Sequence, residues 1–165
     1  MTEVILITGT PGVGKTTLAD TLQDHGYHTF NILELAKLLE CTEDFDEARD
    51  ALIINDELLF EHLKTWLPQH SDEIIIVEGH IADVIPKEFL LRCFVLNPSI
   101  ETLRPRLVDR GYSEDKINEN IEAHIMQECI YDALEYYGEE DVEIIEEDQL
   151  DSVEDTVLTF LSERN

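Results

Sequence analysis

Val4-Ile5-Leu6-Ile7-Thr8, then Gly9-Thr10-Pro11-Gly12-Val13-Gly14-Lys15-Thr16, then Thr17-Leu18-Ala19-Asp20 decide the architecture. A buried-strand pattern, a turn of the form G-x-x-x-x-G-K-[ST] and a helix opening follow one another directly, which is the context in which such a loop holds phosphate. Glycines let successive backbone N–H groups point inward, and the helix beginning near Lys15 adds the positive end of its dipole at the same point. On this reading Gly12, Val13 and Gly14 form the cradle. Lys15 reaches β- and γ-phosphates, the Thr16 hydroxyl holds Mg²⁺, Thr17 lies near the α-phosphate and Pro11 stiffens the loop.

Outward from the loop, four more short apolar runs alternate with helical stretches: 27–31, 73–78, 91–96 and 142–145. Alternation of this kind predicts a five-stranded parallel sheet covered by helices on both faces. The runs 4–7 and 74–77 are continuously apolar, as central strands buried on both faces are, and 142–145 is acidic enough for an edge. Helices are predicted over 15–24, 99–109 with Pro105 inside, 113–137 with an apolar stripe at Ile117, Ile121, Ile125, Cys129 and Ala133, and from a capping-box-like start at Ser152 onward. Residues 32–67 read as two or three short helices around Asp44-Phe45-Asp46-Glu47, without a strand. An insertion of that kind suits a movable substrate-binding piece.

With 165 residues, one domain is expected, and no disulfide or structural metal is needed to hold its core. Cys41, Cys93 and Cys129 stand in no metal-ligand spacing and read as small core residues of a reducing compartment. No apolar run approaches a membrane span and none reads as a signal peptide, so a cytoplasmic protein is expected. The formal charge of −27 repels polyanions and anionic membranes, which excludes general nucleic-acid coating. Solubility in a salty cytoplasm or a basic protein partner accounts for it.

The scarce cations are the informative residues. Arg104, Arg106 and Arg110 fall within seven positions, beside Gly111 and Tyr112, and 106 and 110 share a helical face. Phosphoryl transfer needs such charges around the transferring group. Glu78, ending the run 74–77, is the natural metal carboxylate, and His80 two positions on could orient water or a phosphate.

The loop 8–18, Val77-Glu78-Gly79-His80, Arg106-Leu107-Val108-Asp109-Arg110-Gly111-Tyr112, Lys116-Ile117 and Glu119-Asn120-Ile121 together resemble the adenylate kinase isoenzyme 6 family over nearly the whole chain. The resemblance implies a P-loop NTPase of nucleoside monophosphate kinase type, with a monophosphate-binding insertion at about 31–55 and a short lid at about 109–119. It implies ATP and Mg²⁺ as cofactors, with Thr16 and Glu78 at the metal. Gly12, Gly14, Lys15, Thr16, Thr17 and Arg110 then hold ATP, Lys15, Arg106, Arg110, Glu78 and His80 serve catalysis, and Asn31, Lys37 and Arg49 hold AMP. Where members often carry arginine this chain has Lys37, a point charge that cannot grip phosphate bidentately, which leaves Arg49 as the insertion's arginine.

Three functions compete: transfer of the γ-phosphoryl group to AMP by a monomer, with intrinsic ATPase activity; an ATPase assembly factor in small-ribosomal-subunit and rRNA maturation acting on a basic ribosomal protein; and a kinase for another small substrate, such as a different nucleotide or shikimate.

Overall fold

The computed structural model describes residues 2–48, 51–70 and 73–164. In chain order its elements are β1 (Glu3–Thr8), α1 (Lys15–Asp24), β2 (His28–Asn31), α2 (Ile32–Leu38), β3 (Thr42–Asp46), β4 (Ala51–Ile54), α3 (Asp56–Trp66), β5 (Ile74–Glu78), β6 (Leu90–Asn97), α4 (Ile100–Asp109), α5 (Glu114–Ile125), α6 (Glu128–Tyr137), β7 (Val142–Glu146) and α7 (Val153–Ser162), with short 3₁₀ turns before β5, before β6 and after β7. Five strands form one parallel sheet in the order β2-β5-β1-β6-β7.

Alternation of side chains across β1 explains the two cores. Val4 and Leu6 face one side, where they meet Leu35, Leu59, Leu63, Ala133 and Tyr137. Ile5 and Ile7 face the other, against Leu18, Leu22, Leu103, Leu107, Val157 and Leu161. Both faces of the central strands are therefore sealed by helices, and the continuous apolar runs at 4–7 and 74–77 follow from that. The acidic run 142–145 is indeed the sheet edge.

Residues 32–67 depart from the purely helical expectation. Between α2 and α3 the chain forms an antiparallel hairpin, β3 with β4, in which Phe45 pairs with Leu52. Acidic residues at 43, 44 and 46 mimic a solvated helix in sequence, but Phe45 together with the Leu52-Ile53-Ile54 run supplies the cross-strand apolar pairing that a two-stranded ribbon needs.

The long helix expected over 113–137 is two helices. Gln127 adopts a left-handed conformation with φ of 56°, which ends one helix and starts the next. The five-residue stripe breaks with it: Ile125 is 58% exposed and Met126 62%. Burial continues instead through His124, Ile130, Ala133 and Tyr137. Ser152 makes no capping bond; the box belongs to the preceding 3₁₀ turn, between Glu146 and Gln149. Of the three free cysteines, Cys41 and Cys93 are buried as expected, whereas Cys129 is only partly buried and reaches the site.

Candidate functional site

Parallel pairing brings the carboxyl ends of three strands together. Ile7 of β1 and Asn31 of β2 both lie level with Glu78 of β5. β1 lies between β5 on one side and β6 on the other, and open α/β sheets place their ligands where the strand order reverses in this way. The glycine-rich loop leaves β1 at that point and enters α1.

Gly12 and Gly14 carry φ of 89° and 106°, values that favour glycine, and Gly14 is the residue from which α1 begins. The loop's carbonyls are braced from outside: Arg106 Nη1 donates to the Gly12 and Val13 carbonyls, each at 3.3 Å. Lys15 Nζ donates to the carbonyls of Gly9 at 2.6 Å and Thr10 at 2.9 Å. Burial pushes the Lys15 ammonium down to about 8, while nearby Cys129 and Glu78 pull the other way. Desolvation by the surrounding walls, with the Lys15 charge second, holds the His80 imidazole below its ordinary value, which favours the neutral ring at pH 7.

Glu78 is nearly fully buried, and two donors reach the same oxygen, Oε1. Asn31 Nδ2 donates at 2.6 Å and the Thr16 hydroxyl at 3.2 Å. Asn31 also works at its other amide atom, where Oδ1 accepts from Leu33 N at 2.8 Å and so caps α2. One side chain thus fixes both the start of the insertion and the carboxylate beside the loop. Asn31, expected at the monophosphate, touches Glu78 and also lines the cleft that holds Lys15, Thr16 and His80.

Two clefts meet at the loop. The first, about 540 Å³, is lined by Gly12, Gly14, Thr17, Arg106 and Arg110, and its far end by Leu150 and Val153 from the last crossing. The second, about 450 Å³, is lined by Lys15, Thr16, Glu78 and His80, with Phe45, Leu52 and Ile54 of the hairpin opposite. Gly12 and Arg110 line both. Arg110 closes the C-terminal end of α4, with Nη1 3.4 Å from the Tyr112 hydroxyl, and the Lys116 ammonium sits 4.1 Å above the Tyr112 ring. Arg110 at the end of α4 and Lys116 in the first turn of α5 therefore both line the second cleft.

The remaining residues read from sequence stand elsewhere. Lys37 is exposed near the end of α2 and lines neither cleft, because Ile32, Leu35 and Ala36 form that helix's buried face. Arg104 is likewise exposed and lines neither cleft. Arg49 lies outside the described residues. Leu150, Val153 and the hairpin's apolar residues were not anticipated in sequence, since they reach the site only through long-range packing.

Among the described residues no group of three or more His, Cys, Asp or Glu could enclose a metal by itself. The donors present are two hard oxygens, Thr16 Oγ1 and Glu78 Oε1, 3.2 Å apart. That set fits a magnesium ion, which keeps several waters and takes one or two protein oxygens plus phosphate oxygens. It does not fit a softer metal in a protein-only cage.

Close packing at the base of the site has a measurable consequence. A Cβ on Gly79 would lie 2.4 Å from Ile32 Cδ1 and 2.7 Å from Ile32 Cβ. Gly79→Ala should therefore displace α2, at about 1–3 kcal/mol of unfolding free energy by denaturant titration.

Sheet order, loop and paired clefts define a P-loop NTPase of the nucleotide kinase class. A model of the AAA domain family matches residues 5–127. The adenylate kinase isoenzyme 6 homolog FAP7 of Saccharomyces cerevisiae is 36% identical over 155 residues, 93% of this chain and 76% of that protein. A homolog of the same isoenzyme in Caenorhabditis elegans is 32% identical, over 93% and 84% of the two chains. A crystal structure of a sugar kinase from Janibacter shares the fold at a TM-score of 0.60 and 18% identity, covering 98% of this chain and 95% of that one. The chain belongs to the adenylate kinase isoenzyme 6 family.

Proposed function

We propose that this protein transfers the γ-phosphoryl group of MgATP to AMP, giving two ADP, with slow ATP hydrolysis as a side activity. Two clefts meet at the phosphate loop and share Arg110 and Gly12, which supports a reaction between two bound nucleotides. A hydrolase needs only one such cleft. The first takes ATP, its base against Leu150 and Val153 and its phosphates over Gly12, Val13, Gly14 and Thr17. The second takes the monophosphate, in the insertion 31–55, with the lid 109–119 closing above.

No protein nucleophile is required, since the AMP phosphate oxygen attacks the γ-phosphorus in line. Magnesium, held by Thr16 and Glu78, neutralises phosphate charge when bound. Lys15 leaves its two carbonyls for the phosphates, and Arg110 meets the charge that spreads over the equatorial oxygens. Arg106 works on the loop carbonyls and so positions the cradle. Neutral His80 orients water or the acceptor phosphate. Closure of insertion and lid expels the water that would otherwise accept the group.

A product assay tests this: MgATP alone, then with each monophosphate in turn, with ADP quantified by chromatography. ADP appearing at twice the rate of AMP loss is expected. Equal ADP without any monophosphate overturns the transfer reading in favour of hydrolysis.

The Lys15 environment adds a pH signature. Its ammonium is charged below pH 8 and loses its proton in the free protein above it. Bound phosphates hold the proton on, so ATP affinity should fall about tenfold between pH 7 and pH 9. Titration calorimetry across that range checks it.

A second reading, favoured by the −27 charge, is an assembly factor whose ATP cycle governs its grip on a basic ribosomal protein of the small subunit. Retention of such a protein at about 0.15 M salt, dependent on ATP, would support it, whereas capture lost at that salt is charge attraction alone.

A further inference from the structure

His124 lies on the last turn of α5, three residues before the left-handed Gln127, and its ring is buried against the phosphate loop. Both ring nitrogens are engaged. Nε2 is 2.6 Å from the carbonyl oxygen of Pro98, in the connection between β6 and α4. Nδ1 is 2.9 Å from the hydroxyl of Thr10, inside the glycine-rich loop. A carbonyl can only accept, so Nε2 carries the proton, and the Thr10 hydroxyl donates to Nδ1.

Thr10 is thereby held twice. Its hydroxyl is fixed by His124, and its carbonyl takes the Lys15 ammonium at 2.9 Å. α5 itself starts at the lid, where Ser113 caps it, and runs 12 residues, about 18 Å, to the His124 end. Lid and phosphate loop are therefore the two ends of one rigid arm, tied to the loop by the His124–Thr10 hydrogen bond and to α6 by a backbone break.

We propose that His124 is a positioning residue that ties the lid arm to the phosphate loop, through Thr10, so that the Lys15 anchorage and the lid shift together when nucleotide binds. A histidine that merely filled a core position would face apolar neighbours or a backbone group of its own layer. This one bridges a lid helix, a sheet-to-helix connection and a catalytic loop, each from a different part of the chain.

The inference rests on the nucleotide-binding reading of the loop, and the experiment separates the two. Thermal unfolding with and without a non-hydrolysable MgATP analogue is measured for wild type, Thr10→Val, His124→Leu, His124→Gln and the Thr10→Val/His124→Leu double variant, alongside kcat/KM for ATP. Each single apolar variant should lose about tenfold in kcat/KM and most of the nucleotide-induced rise in Tm. The double variant should be no worse than either single one, because both remove the same bond. Glutamine, which can accept from Thr10, should recover activity to within about threefold of wild type. A wild-type nucleotide shift retained in Thr10→Val and His124→Leu overturns the proposal, as do additive losses in the double variant. If His124→Leu fails to fold, Thr10→Val, which deletes only a hydroxyl, decides the matter. A wild-type protein with no shift at all overturns the nucleotide reading itself.

Discussion

Arg110→Ala is expected to lower ADP formation from MgATP and AMP about a thousandfold while leaving the unfolding midpoint close to that of wild type. The two halves of that expectation come from different features of one residue. Arg110 is exposed at the end of α4, and its described hydrogen bond is a long one to the Tyr112 hydroxyl, so its loss from the fold costs little, within about 0.5 kcal/mol. Yet it is the cation that lines both clefts, the place where a phosphoryl group would cross. Charge gathers on the equatorial oxygens chiefly in the transition state, so the loss should fall on kcat, with KM for ATP changed far less. Arg110→Lys should recover only a small part, because an ammonium cannot present the flat fork of a guanidinium. Unchanged turnover in Arg110→Ala would remove Arg110 and the lid from the mechanism.

How much of this was legible in the sequence depends on how local each feature is. The phosphate loop declares itself because strand, glycines, lysine and helix are contiguous, and Glu78 declares itself because a buried apolar run ends on it. Asn31 was placed at the site only through the family resemblance, and its bonding could not be read, since the contact with Glu78 crosses from β2 to β5. The hairpin of β3 and β4 was hidden by acidic residues that suit an exposed helix equally well. The α5–α6 break was hidden more deeply, because Gln127 takes a left-handed conformation without the glycine that usually signals one. His124 shared that concealment, because only the break makes it the end of an arm. A count of charges along the chain does not show that Lys37 and Arg104 line neither cleft, or that the cationic pocket is built by Lys15, Arg106, Arg110 and Lys116.

Lys15→Met is expected to reduce phosphoryl transfer by about two to three orders of magnitude without weakening the fold. Removal of the ammonium leaves the Gly9 and Thr10 carbonyls without a donor, which by itself costs about 1–3 kcal/mol. Against that, a buried cation whose proton is already loosened by desolvation is replaced by an apolar chain of similar length, and such exchanges are commonly neutral or stabilising. The two contributions nearly offset, so denaturant titration should place the variant close to wild type. The pH dependence of ATP affinity above pH 7 should disappear with the group that causes it, which separates the loss of this ammonium from a general distortion of the loop. Retained turnover in Lys15→Met, or a pH dependence that survives the substitution, would mean that a different cation of the same cleft, Arg110 or Lys116, meets the β- and γ-phosphates.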